Sequence, residues 1–173
     1  MEDLSEYIIN FAGLKQGFHS MEFLINSSFF EEMQSDEKLD VEMRLDIEIE
    51  KNINLLVFKF HFSGFMNTQC DRCGDDVSLP LNFSETLYVK ITDRSENEED
   101  INVVTLATNE YQIDIHSHVY EFIMVHLPFR RIHGVDIEGK SLCNEAALKF
   151  LEEKEKTDID PRWEALKKLK SDN

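Results

Sequence analysis

Residues 39–50, Leu39 to Glu50, read LDVEMRLDIEIE and alternate apolar with polar side chains without a fault. Successive side chains of a strand point to opposite faces, so this stretch predicts a β-strand with one dry and one wet face. Leu39, Val41, Met43, Leu45, Ile47 and Ile49 are expected to point inward. Lys51-Asn52-Ile53-Asn54 then offers turn chemistry, and LLVFKFHF follows as a second apolar and aromatic run. The two runs predict an antiparallel hairpin. Ser63-Gly64 is expected to break or bulge the second strand before Phe65-Met66 continues toward Cys70. Gly74-Asp75-Asp76 turns the chain back into Val77 to Leu81, and a further strand from near Glu85 to Thr92 extends the meander.

Outward from this sheet, the N-terminal side places Gly13 and Gly17 around Leu14-Lys15-Gln16, and His19 to Phe30 reads as strand. On the other side, Asp93 to Asp100 is polar and charged without periodicity and is expected to be a poorly ordered loop. Ile101 to Leu106 can form a short strand. Asp114 is placed to cap a helix through Ile115, Val119, Phe122, Ile123 and His126, which Pro128 stops. Ser141 or Asn144 can start a second helix through Leu148 and Leu151, and Asp160-Pro161 suits the start of a last one. The expected fold is α+β: an antiparallel, partly closed, barrel-like sheet packed by two or three C-terminal helices. Residues 1–151 are expected to form one globular domain, with residues 152–173 a charge-rich tail that carries a short helix.

With 42% hydrophobic residues in 173, the chain can bury a substantial core. Its net charge of −17 repels phosphate backbones and attracts basic proteins. All of that excess lies in residues 1–129, which hold 8 Lys/Arg against 25 Asp/Glu, while residues 130–173 hold 10 of each. A cytoplasmic location is expected, since the start from Met1 to Glu6 lacks a signal-peptide pattern and no apolar run spans a bilayer. Three cysteines without an export signal argue for free thiols or metal ligands over disulfides.

Cys70-x-x-Cys73 followed by Gly74 has the shape of a zinc knuckle, a tight turn that aims two thiolates at one ion. Two ligands do not make a structural site. Cys143 and His133 would complete a Cys3His set, but spacing alone does not bring them together. Zinc and free thiols in a turn therefore both stay open. A third reading, thiol redox chemistry, wants a Cys-x-x-Cys at a helix N-terminus, and these flanks read as strands. His116, His118 and His126 lie on or near one helix and read as core-edge or surface histidines. No Gly-rich phosphate loop or nucleophile elbow is present, so no catalytic residue and no small-molecule substrate are assigned, and a non-enzymatic protein is expected. Trp163 in the polar tail either docks that segment onto the body or anchors a partner.

Several signatures stand in one order: Gly13-Leu14-Lys15-Gln16-Gly17 with the Phe29-Phe30 pair, the Cys70-Asp71-Arg72-Cys73 turn, Glu121 on a helix running to Leu127-Pro128, and Asp160-Pro161-Arg162-Trp163-Glu164-Ala165-Leu166. Together they resemble the YceD family over nearly the whole chain. The resemblance implies a role in accumulation of large-subunit ribosomal RNA. Many members carry a second cysteine-rich segment after the Leu-Pro step, whereas here that stretch reads Phe129 to Gly134, leaving His133 and the later Cys143. The acidic body makes a basic ribosomal protein or a pre-ribosomal particle the expected partner, with Arg130, Arg131, Asp160, Pro161, Arg162 and Trp163 as candidate contacts. The alternative is direct RNA binding through the C-terminal third, where Arg130, Arg131, Lys167, Lys168 and Lys170 concentrate positive charge.

Overall fold

A computed structural model describes residues 4–33, 39–93 and 102–155. After a single 3-10 turn at Leu4–Tyr7, the elements in chain order are β1 (Ile8–Ile9), β2 (Gly17–Asn26), α1 (Ser27–Glu32), β3 (Asp40–Lys51), β4 (Leu55–Gln69), β5 (Asp76–Ile91), β6 (Val103–Leu106), β7 (Ile113–Asp114), α2 (His116–His126) and α3 (Glu145–Glu155). By internal contacts the chain groups into two compact units. The first comprises residues 1–68 and 78–130, and the second residues 69–77 and 131–173.

The first unit carries the sheet, in the order β2-β3-β4-β5-β6. β2 with β3 and β3 with β4 are antiparallel, and β6 runs parallel to β5. The alternation that opened the sequence is realised: Leu39, Val41, Met43, Leu45, Ile47 and Ile49 are buried, while Asp40, Glu42, Arg44 and Glu48 are exposed. Leu56, Phe58, Phe60 and Phe62 of β4 extend the dry face. Phe60 meets Phe122 of α2 with ring centroids 5.3 Å apart, and Phe62 stacks on Phe83 at 4.5 Å. Phe30 of α1 reaches Tyr120 of α2 at 6.0 Å, so both helices share the apolar layer over this face. β1 pairs separately with β7.

Five expectations need correction. The sheet is open, not partly closed, and not wholly antiparallel: β2 and β6 are its two edges, closure would require them to pair, and β6 runs parallel to β5. The helices are not a C-terminal set, because α1 interrupts the run read as strand from His19 to Phe30. Asn26 ends β2, and its side-chain oxygen accepts from the Ser28 N–H at 2.8 Å, an N-cap that outweighs the strand preference of the Phe pair. Ser63-Gly64 makes no bulge. β4 is continuous, Gly64 stands opposite Met43, and a Cβ there would lie 2.2 Å from the Glu42 carbonyl oxygen, so glycine permits a close strand approach. Val77 to Leu81 and Glu85 to Thr92 are not two strands but one, β5, since Pro80 is tolerated at an exposed position. Finally, Ile115 takes the N-cap position of α2, although the Asp114 carboxylate still accepts from the His116 N–H at 3.1 Å. Asn144 does start α3 as expected, accepting from the Ala146 N–H at 3.0 Å. The segment expected to be a poorly ordered loop falls almost wholly outside the described residues, and so does most of the C-terminal tail.

Candidate metal centre

The chain enters the second unit at the end of β4 and leaves it at the start of β5. Between these strands Cys70 to Asp75 form a tight turn, closed by the Cys70 N–H to the Asp75 carbonyl at 2.8 Å and the Gly74 N–H to the Cys70 carbonyl at 2.9 Å. Gly74 takes φ of 78°, the left-handed conformation that favours glycine. The later segment is tied to this turn by Asp71. Its N–H donates to the Arg131 carbonyl at 2.7 Å, and its carboxylate accepts from the Arg131 N–H at 2.7 Å. Farther along, Val135 bridges Ser141, the Leu142 N–H donates to the Gly134 carbonyl, and Asn144 Nδ2 donates to the Asp75 carboxylate at 3.1 Å. These bonds carry His133 and Cys143 to the knuckle.

The donor atoms of Cys70, Cys73, His133 and Cys143 all lie within 4.8 Å of one another. Cys70 Sγ is 3.8 Å from Cys143 Sγ, and Cys73 Sγ is 3.5 Å from His133 Nδ1. A tetrahedral ion with metal–sulfur bonds of ~2.3 Å and a metal–nitrogen bond of ~2.0–2.1 Å sets its ligands about 3.6–3.8 Å apart. The residues therefore fit a four-coordinate metal. The His133 ring is already oriented for it: Nε2 donates to the Asp76 carbonyl at 3.1 Å, which leaves the Nδ1 lone pair facing the sulfurs. Cys70 and Cys143 are buried, and Cys73 and His133 are half-buried.

Burial pushes the Cys70 thiol up, but the N–H groups of Cys73, Arg72 and His133 and the His133 ring outweigh it and bring the thiol down to about 5. At Cys73 the Asn144 N–H pulls down, yet burial and the neighbouring Cys70 and Cys143 sulfurs carry the thiol above its ordinary value. His133 is raised, first by the Cys70 sulfur and against its own burial. This is the electrostatics of a donor set that concentrates negative charge at one point. Among the described residues no other group of three or more His, Cys, Asp or Glu side chains is close enough to hold a metal.

The structure thus brings together all four candidate metal ligands. Of the candidate partner contacts, Arg130 is exposed and Arg131 is half-buried with its backbone bound by Asp71. Asp160, Pro161, Arg162 and Trp163 lie outside the described residues. The supporting roles of Asp71, Asp75 and Asp76 carry no sequence signal, because all three act at least in part through backbone groups, which leave no spacing signature. No helix among the described residues is long and apolar enough to cross a membrane.

The chain is thus an acidic α+β protein with an open sheet and a small unit whose Cys3His cluster could hold a metal ion. The family model described as "Large ribosomal RNA subunit accumulation protein YceD" matches residues 58–170, well over half of the chain. The chain belongs to the YceD family. No curated protein and no solved structure matches it.

Proposed function

We propose that the protein is a non-enzymatic accessory factor in large ribosomal subunit biogenesis, acting by binding a basic ribosomal protein or a pre-ribosomal particle through protein. The observation that carries this reading is where the charge lies. The whole excess of −17 falls in residues 1–129, and the wet face of β3 presents Asp40, Glu42, Asp46, Glu48 and Glu50 in one row that only Arg44 interrupts. Such a surface favours a basic protein over naked RNA. Family membership supplies the ribosomal context.

In the same reading the Cys3His cluster holds a structural zinc ion, with Cys70, Cys73, His133 and Cys143 as ligands. Its chemistry there is to fix the fold of the second unit, since the binding energy of a structural metal becomes folding energy. A pull-down with the full chain at low and at moderate salt, with RNA and protein identified separately, tests the function. Recovery of basic large-subunit proteins that weakens as salt rises is expected. Recovery of RNA stripped of protein, with no ribosomal protein retained, would overturn it in favour of direct RNA binding.

A further inference from the structure

We infer that the free edge of β2, with the wet face that β2 and β3 share, is a docking surface for an extended, lysine- or arginine-rich protein segment that joins the sheet as a sixth strand. The inference deepens the proposed function and rests on its reading of a basic protein partner.

The first observation is the edge itself. β2 is ten residues long and stands at the end of the sheet, and among the described residues no strand pairs with the outer side of residues 17–25. An unpaired strand edge is a row of free N–H and C=O groups, and proteins normally blunt it with Lys, Pro, a bulge or an inward-pointing charge. β2 has none of these. Its sequence GFHSMEFLIN contains no Lys, Arg or Pro, its only carboxylate is the outward Glu22, and its ladder with β3 runs unbroken from Gly17 opposite Lys51 to Asn26 opposite Glu42.

The second observation is what the edge displays. Phe18 and Leu24 are 79% and 70% exposed on the wet face. Behind them stand Glu50 opposite Phe18, Glu48 opposite Ser20 and Asp46 opposite Glu22, and across β3 Glu42 stands opposite the exposed Phe65. Arg44 engages Glu22 and Asp46 at 3.0 and 2.9 Å, and the exposed Lys59 stands opposite Glu48 on β4, but among the described residues Glu42, Glu48 and Glu50 form no ion pair, so the row keeps an acidic excess. A strand added beside β2 lies about 5 Å from it and about 10 Å from β3. Ser20 is small, so a lysine arm laid across it reaches Glu48, while apolar side chains on either side cover Phe18 and Leu24. Main-chain bonds then supply affinity and the alternate side chains supply selectivity.

Charge decides between occupants. A second copy of this chain would set its own acidic row beside this one, like sign against like sign, whereas a basic segment neutralises it.

The test uses the full chain and a labelled peptide with threonine at every second position, in which the residues between, which share one face, read valine, lysine, lysine, valine to lie beside Phe18, Ser20, Glu22 and Leu24. Hydrogen exchange is followed along residues 17–26 with and without peptide, and affinity is measured by anisotropy at low and moderate salt. Expected are slowed exchange within β2, affinity that falls at least tenfold as salt rises, and no binding of the same peptide with glutamate in place of lysine. Ser20→Lys with Leu24→Lys, at exposed edge positions, is expected to weaken binding at least tenfold with an unchanged melting temperature, and Glu48→Gln with Glu50→Gln to act in the same direction. Unchanged exchange in β2, affinity indifferent to both variants, or a dimer in sedimentation that Ser20→Lys dissolves would each overturn the docking surface. Capture of large-subunit particles by the wild type and by the Lys variant separates the two readings. If both capture them equally, the function stands and the docking surface fails. If the wild type captures none while the peptide still protects β2, the docking surface stands and the ribosomal reading fails.

Discussion

Gly64 shows how much one missing side chain can decide. Because a Cβ at this position would also fall 2.6 Å from the Met43 Cα, with backbone on two sides, nothing flexible can yield. Gly64→Ala is expected to destabilise the protein by about 3 kcal/mol, read from the urea midpoint, through overpacking alone. A loss under about half a kcal/mol, the level of a neutral surface change, would show that β3 and β4 stand farther apart. At the metal cluster, Cys143→Ser is expected to abolish binding of close to one equivalent of zinc and to cost several kcal/mol, since the ion then loses a buried ligand. A wild type that is free of metal, and equally stable with and without chelator, would remove the zinc reading. The knuckle itself was legible in the sequence, because Cys-x-x-Cys-Gly encodes its own turn. Its completion was not. His133 and Cys143 arrive through the bonds of Arg131 to Asp71 and of the Asn144 side chain to the Asp75 carboxylate, and no local pattern records where a chain sixty residues on will return.

Among the elements, β3 was the most legible, since a strand that is dry on one side writes its register into every second residue. Ile47→Asp places an unpaired charge at a fully buried position and is expected to cost several kcal/mol, whereas Glu48→Lys on the wet face should stay within about half a kcal/mol. Equal effects in thermal melts would mean that the faces are exchanged. α1 was misread because Phe29 and Phe30 favour strands, and only the Asn26 cap reveals the turn into helix. α2 carries a titration. Burial holds His118 below the ordinary histidine value of 6.5, with His116 acting the same way and Glu121 and Asp114 against it. Its Nδ1 is buried without a hydrogen-bond partner among the described residues. The unfolded chain therefore takes up a proton here at a higher pH than the folded one, and stability rises with pH across that window. The share tied to neutral His118 is complete above 6.5 and is lost as pH falls from there through the depressed value. His118→Gln should lose less stability than the wild type between pH 7.5 and 5.5 in urea melts. Identical losses would place the titration elsewhere.

For the whole molecule, the two ends of the charge distribution make opposite demands. A chain lacking residues 157–173 loses Arg162, Trp163 and three of the lysines but keeps every excess acidic charge. It is expected to retain its salt-sensitive attraction to basic protein, screened over a Debye length of ~8–10 Å. Filter binding beside a protein pull-down on both forms checks this, and tight RNA binding that disappears with the tail would defeat it. The sheet's openness was hidden from the sequence for a reason of the same scale, since whether two distant edges meet depends on twist and length, not on any one strand. The separation of the four candidate ligands also has a consequence in time. Cys70 and Cys143 are 73 positions apart, and Cys73 and His133 are 60 apart. On a ribosome adding about 5–20 residues per second, the first two thiols are made roughly 3.5–14 s before the last candidate ligand. For that interval the nascent chain carries an open pair of thiols, exposed to oxidants and to any ion at hand. The speed of translation through residues 74–143 thus sets how long the half-built centre is vulnerable.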